Sequence, residues 1–241
     1  MPGRPTRYHV AMPIRPQTRF GNITLGLVPK VVGTVSRRDT LLKPTAFPCD
    51  IVEVRLDLLG ADTPGWPEQI RNIEARGVPV IVTIRLANEG GKWGQPDDAR
   101  LPLFELALQN ATAVDIEYRS PLIKKVSALA CRHQRPLIIS YHDFEKTPLL
   151  AELQQVIRTA ANYGTVVKIA TLTKTEDDVA TLRALFAEQC SASVCLLGMG
   201  PLGPRTRVEF PRLGSCLTYG YLDAPIAPGQ VAASQLKESL Q

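Results

Sequence analysis

Residues 51–57 read Ile-Val-Glu-Val-Arg-Leu-Asp. The β-branched apolar residues favour a strand. Glu53, Arg55 and Asp57 recur at intervals of two, which places all three on one strand face. A face of mixed charge inside an apolar run has two readings. It is either part of a working site or an ion-pair network inside a barrel. Comparable Val/Ile/Leu-rich runs occupy 31–36, 79–85, 112–117, 137–142, 166–170, 194–198 and 215–219. Near-continuous apolar runs suit parallel strands covered on both faces.

Stretches with helical spacing lie between these runs. They include Leu101, Leu103, Leu106 and Leu108, then Leu149, Leu150, Leu153, Val156 and Ile157, then Val179, Leu182, Leu185 and Phe186. Eight strands with helices between them predict an α/β chain folded as a (β/α)8 TIM barrel. A doubly wound sheet is the competing fold. It usually carries a Gly-rich turn after its first strand, and residues 34–40 (TVSRRDT) offer none.

With 44% hydrophobic and 21% charged residues among 241, the composition excludes disorder and a bare disulfide scaffold. No uncharged apolar run reaches the ~18 residues of a spanning helix, so no membrane role is expected. The net charge of +5 is carried by Arg4, Arg7, Arg15, Arg19 and Lys30, within a segment that has no acidic residue. Residues 31–241 then balance 23 basic against 23 acidic side chains, and charge indicates no nucleic-acid partner. Residues 1–19 are rich in Pro and Arg, lack periodicity, and are expected to form a flexible basic extension to a single catalytic domain at 20–241. They lack the Ser richness of an organelle presequence. An odd number of cysteines, five, without a CxxC pair or a signal peptide favours reduced thiols in a cytoplasmic setting. The three His show no metal-ligand spacing, so no metal is expected.

Barrel enzymes collect catalytic groups at the carboxyl ends of their strands. The third run ends at Arg85, followed by Asn88-Glu89-Gly90-Gly91, whose glycines allow a tight loop. The fourth ends with Asp115 and Glu117, which are equally readable as buried structural carboxylates. The fifth leads into Ser140-Tyr141-His142-Asp143-Phe144, with a His suited to proton transfer near neutral pH. Lys168, inside Val-Val-Lys-Ile-Ala at 166–170, is the most informative residue. An unpaired ammonium in an apolar strand is expensive. Either Lys168 pairs with Glu53 or Glu117, or burial favours the neutral amine that a Schiff-base nucleophile needs. Met199 reads as core as readily as cavity wall. Arg207, if it sits over the mouth, suits a carboxylate. Gly229 and Gln230 precede a final helical stretch and can offer donors to an anion.

Taken in order, EVRLD at 53–57, TIR at 83–85, NEGG at 88–91, SYHDF at 140–144, VKIA at 167–170, MG at 199–200, Arg207 followed by GS at 214–215, and APGQ at 227–230 form a recognisable set. Over about residues 20–241 the chain resembles type I 3-dehydroquinate dehydratase, a family of Schiff-base barrels akin to class I aldolases. The resemblance implies a hydro-lyase of the shikimate pathway that converts 3-dehydroquinate to 3-dehydroshikimate and water without cofactor or metal, commonly as a homodimer. It makes Lys168 the Schiff-base lysine, His142 the acid–base and Glu89 the carboxylate that orients it. Arg207 and Gln230 would bind the substrate carboxylate, Glu53, Arg55 and Arg85 would contact ring hydroxyls, and Met199 would wall the iminium. It also implies that residues 20–30 form a short β-hairpin closing the barrel bottom. The chain departs from the family at Ile226, where Ser commonly precedes APGQ, and at Thr206, where Ser is usual.

Two other functions compete. Other Schiff-base barrels, aldolases and transaldolases, often need a late phosphate-binding loop, where this chain has Arg207 and Gln230. A binding scaffold that uses its basic arm would not require Lys168, His142 and Glu89 together.

Overall fold

The computed structural model describes residues 16–42 and 46–241. Residues 1–15 of the expected basic extension lie outside that range. The described chain starts with a two-stranded antiparallel hairpin, β1 (Thr18–Phe20) and β2 (Ile23–Leu25). The hairpin begins at Thr18, two residues before the segment expected for it. Gly21 turns it with a φ of 61°, a left-handed conformation open to glycine.

The eight barrel strands are β3 (Lys30–Val35), β4 (Ile51–Arg55), β5 (Val80–Thr83), β6 (Ala113–Glu117), β7 (Leu137–Asp143), β8 (Val166–Leu172), β9 (Ser193–Met199) and β10 (Leu217–Tyr221). They pair in parallel in chain order, and β10 returns to pair with β3. Between β9 and β10 the amide of Cys216 donates to the Val194 carbonyl at 2.9 Å, and the Cys195 thiol donates to the Leu217 carbonyl at 3.3 Å. The first and last strands are therefore neighbours, which a doubly wound sheet does not allow. Each of the eight apolar runs became one strand.

Helices α1 (Arg38–Leu42), α2 (Leu56–Leu59), α3 (Trp66–Ala75), α4 (Leu101–Asn110), α5 (Ile123–Arg132), α6 (Leu150–Ala160), α7 (Glu176–Ala184), α8 (Gly203–Arg212) and α9 (Ala233–Leu240) are interspersed with the strands. Outward strand residues such as Val52, Val54, Val82 and Ile116 join Ile70, Phe104, Leu153, Ile157 and Leu182 in the outer core. Two expected helical faces shift. Leu149 precedes α6 and is 73% exposed, because its helix starts one residue later. In α4 the fully covered residues are Phe104, Ala107 and Leu108, with Leu101, Leu103 and Leu106 half-buried.

The inner core is separate. Phe20 and Leu25 of the hairpin pack with Ile51, Ile81, Ala113, Ile138 and Val166 at the amino-terminal end of the barrel. Full burial of an aromatic or aliphatic side chain of this size contributes about 1.5–3 kcal/mol. Thr18 and Ser193 share a hydroxyl hydrogen bond at 2.8 Å, and the Asn22 amide donates to the Gly77 carbonyl at 2.8 Å. These contacts fasten the hairpin as a floor and leave the carboxyl ends of the strands as the open end.

Candidate active site

Above that floor, the next inward position on several strands is polar, and period-two alternation carries the pattern around the barrel. Glu53 on β4 accepts hydrogen bonds from Thr34 Oγ1 at 3.0 Å and Thr83 Oγ1 at 2.8 Å. Arg55 grips Asp57 with a two-pronged ion pair, Nε to Oδ1 at 2.9 Å and Nη2 to Oδ2 at 2.8 Å. The strand ends at Arg55, so Asp57 lies in α2 and not on the shared strand face that the spacing implied. The ion-pair reading thus holds for Arg55 and Asp57, while Glu53 stays with two hydroxyls.

β5 likewise stops at Thr83, two residues short of the expected Arg85. Arg85 turns back into the barrel, where Nη1 donates to Ser140 Oγ at 2.6 Å and Nη2 to Asp115 Oδ1 at 2.8 Å. Burial works to discharge Arg85, but Asp115 and Glu117 beside it outweigh that and raise its pKa overall. Burial also opposes the charge of Asp115, yet Arg85 and Lys168 hold its carboxyl below the usual range.

Lys168 Nζ sits 3.7 Å from Asp115 Oδ2 and 3.9 Å from the centroid of the Tyr219 ring. The expected partners were Glu53 or Glu117, and neither is paired with it. Glu53 is held by its two threonines, and Glu117 Oε2 accepts from Arg100 Nη1 at 2.7 Å. Asp115 lies two residues nearer the floor than Glu117, and its Oδ2 is the carboxylate oxygen that reaches Lys168. Arg100 is fully buried and also donates to the Ile84 carbonyl at 2.6 Å.

His142 is the penultimate residue of β7, and its Nδ1 lies 3.2 Å from Glu89 Oε2. Gly90 follows Glu89 with a φ of 78°, turning the loop so that Glu89 points inward. Burial pushes the Glu89 carboxyl up to about 7, against the opposing pull of Arg85. Burial also takes the His142 imidazole well below its ordinary value, reinforced by Arg85, Lys168 and Arg55. Arg119 donates to the His142 carbonyl at 3.1 Å and stands 3.8 Å from Glu89 Oε1. Phe144 stacks on the His142 ring, with centroids 6.1 Å apart and planes 15° from parallel.

Arg207 on α8 is 2% exposed. Its Nε donates to the Gly229 carbonyl at 3.1 Å and its Nη1 to the Tyr219 carbonyl at 2.8 Å. Among the described residues no carboxylate pairs with it. Burial lowers its pKa to about 10. A buried guanidinium bonded only to carbonyls can receive an anion. Nearby, Gln230 Oε1 accepts from the Ile226 amide at 2.8 Å. Thr206, at the position where Ser is expected, accepts from the Gly198 amide at 2.9 Å and donates to the Gly203 carbonyl at 2.8 Å.

A cavity open to solvent at the carboxyl end is lined by Glu53, Arg55, Arg85, Glu89, His142, Lys168, Met199, Arg207 and Gln230. All nine residues chosen from the sequence thus meet in one place. The sequence reading gave no role to Tyr219, Arg119 or Phe144. Tyr219 was accessible through strand phase, since it lies two residues beyond inward-facing Leu217. Arg119 and Phe144 occupy loop positions with no periodic signal. Among the described residues, no cluster of three or more His, Cys, Asp or Glu could hold a metal ion.

Comparison with known proteins agrees with this arrangement. A 3-dehydroquinate dehydratase from Methanocella arvoryzae is 37% identical over 213 residues, spanning 88% of this chain and 96% of that protein. The solved 3-dehydroquinate dehydratase from Aquifex aeolicus superposes with a TM-score of 0.76 at 30% identity, covering 87% of this chain and 96% of its own. That from Geobacillus kaustophilus gives a TM-score of 0.84 at 24% identity, covering 94% and 96%, and at that identity it speaks to fold alone. The sequence pattern described as type I 3-dehydroquinase matches residues 27–241. This chain belongs to the type I 3-dehydroquinase family.

Proposed function

We propose that the protein is a 3-dehydroquinate dehydratase, a lyase acting in the shikimate pathway through a Schiff base on Lys168. The observation that carries the reading is the meeting in one cavity of Lys168, the His142–Glu89 pair and Arg207, which has no carboxylate partner among the described residues. The Lys168 amine attacks the ring ketone, water leaves, and a protonated imine forms. The cationic nitrogen withdraws electrons and acidifies the adjacent carbon. With Glu89 ionised, His142 Nδ1 carries its proton toward Glu89 and Nε2 presents a lone pair. Nε2 takes the proton from that carbon, leaving an enamine. The enamine expels the hydroxyl, which takes the proton back from His142 and departs as water. Hydrolysis of the conjugated imine consumes one water and releases 3-dehydroshikimate and the free lysine. The net change is the loss of one water.

In this reading Arg207 binds the substrate carboxylate with help from Gln230. Glu53, Arg55 and Arg85 address the ring hydroxyls, and Met199 forms an apolar wall beside the imine. The family resemblance supports a homodimer working in the cytoplasm, which light scattering behind a sizing column and fractionation of native cells would test. Among the described residues no helix is long and apolar enough to cross a membrane.

The decisive experiment incubates the protein with 3-dehydroquinate, reduces it with borohydride and maps the adduct. A mass increase on Lys168, with growing ultraviolet absorbance from the enone, is expected, and Lys168→Ala should abolish the adduct. Absence of both signals from the unaltered protein would sink the reading.

A further inference from the structure

Tyr219 is only 3% exposed, lines the cavity, and among the described residues its hydroxyl has no hydrogen-bond partner. Its ring faces the Lys168 nitrogen at 3.9 Å from the centroid. Asp115 Oδ2, also without a hydrogen-bond partner, lies 3.7 Å from the same nitrogen. Lys168 therefore has two close electronegative neighbours, a carboxylate oxygen and an aromatic face. The Tyr219 carbonyl accepts from Arg207 at 2.8 Å, so one residue of β10 touches both cations.

We propose that Tyr219 is a positioning residue whose ring face seats the cationic nitrogen of the protonated imine formed on Lys168. A ring quadrupole attracts a cation over its face, more strongly where water is excluded. The imine nitrogen is the same atom on the same side chain, so the seat persists when the substrate is attached. The phenol does not act as a base or a counter-ion. Burial, together with Glu53 and Cys195, raises its pKa well above the ordinary value and keeps it neutral. The ring face, and not the hydroxyl, is then the working part. An unpartnered buried hydroxyl costs stability, so Tyr219→Phe is expected to keep function and melt no lower.

This inference rests on the Schiff-base reading above, and the test separates the two. Tyr219 is replaced by Phe, by phenylalanines bearing progressively more ring fluorines, and by Leu. The adduct that borohydride traps on Lys168 is measured at limiting 3-dehydroquinate. Fluorine weakens the ring face with little change in shape. Trapping should match the unaltered protein in Tyr219→Phe, fall stepwise with each fluorine, and fall about tenfold in Tyr219→Leu. A flat response across the fluorinated series would overturn the inference even if the Leu variant does not fold. So would a loss in Tyr219→Phe as large as in Tyr219→Leu, because the hydroxyl would then be the active element. If the unaltered protein itself gives no adduct, it is the Schiff-base reading that fails.

Discussion

Glu89 Oε2 and His142 Nδ1 lie 3.2 Å apart at the mouth of the barrel, and burial drives both partners toward neutrality. Glu89 is pushed up to about 7, so it changes charge in the range where the enzyme would work. A carboxyl with a raised folded-state pKa binds its proton more tightly when folded. Its stabilising contribution is present at low pH and is lost as pH rises through about 7. Above that pH, the buried Glu89 anion costs on the order of 3 kcal/mol relative to an unperturbed carboxyl. Glu89→Gln should therefore melt higher than the unaltered protein at pH 8, with the gap closing toward pH 5. Turnover should fall, because Gln does not fix the His142 tautomer as a carboxylate does. A melting difference that ignores pH would show that Glu89 does not titrate there.

His142→Ala separates two chemical steps. The amine remains, so the borohydride adduct on Lys168 should persist. Removal of a positioned acid–base should slow elimination by roughly 10²–10⁴. Stopped-flow absorbance of the enone measures the step, and unimpaired turnover would refute the assignment of the base.

Arg207 predicts a trade between stability and affinity. Its folded-state pKa is depressed to about 10, so its charge costs stability in full below that pH, and the cost eases only as pH rises from about 10 toward the ordinary arginine value. Arg207→Met should leave melting at pH 7 unchanged or raise it. The same change should raise KM at least tenfold with a smaller effect on kcat, because the lost contact is to a part of the substrate that does not react. Lowered melting together with unchanged KM would assign Arg207 to the fold instead.

Ile226 lines the cavity and donates its amide to Gln230 Oε1 at 2.8 Å. Ile226→Ser places a hydroxyl where the family commonly has one, and KM for 3-dehydroquinate should fall. An unchanged KM would mean that the loop holds substrate through its backbone and Gln230 alone.

Legibility in the sequence followed the local code. The barrel strands were readable because runs such as 79–85 and 166–170 are long, apolar and separated by amphipathic stretches. The nine site residues were readable because chemistry-bearing side chains interrupt or end those runs. What the sequence hid was pairing across strands. Lys168 is expected to find Glu53 or Glu117, and only the folded barrel shows that Asp115 is its neighbour. Arg100 sits in Asp97-Asp98-Ala99-Arg100, which reads as a solvated turn, yet it is fully buried against Glu117. Asp57 was placed on a strand face because a spacing of two does not reveal where a strand stops. Tyr219 reads in the sequence only as the end of an apolar run, and its significance depends on Lys168, fifty-one positions earlier in the chain.

The hairpin floor has a kinetic meaning. With Phe20 and Leu25 packed across one end, the cavity is a vessel whose neck, among the described residues, lies at the carboxyl ends of the strands. Substrate arrival, product departure and the exchange of water during imine chemistry must all use that neck in turn. A compound lodged there would block escape as firmly as entry, stranding a finished product on Lys168. Such a compound would prolong the life of the enzyme-bound imine as well as prevent new ones from forming.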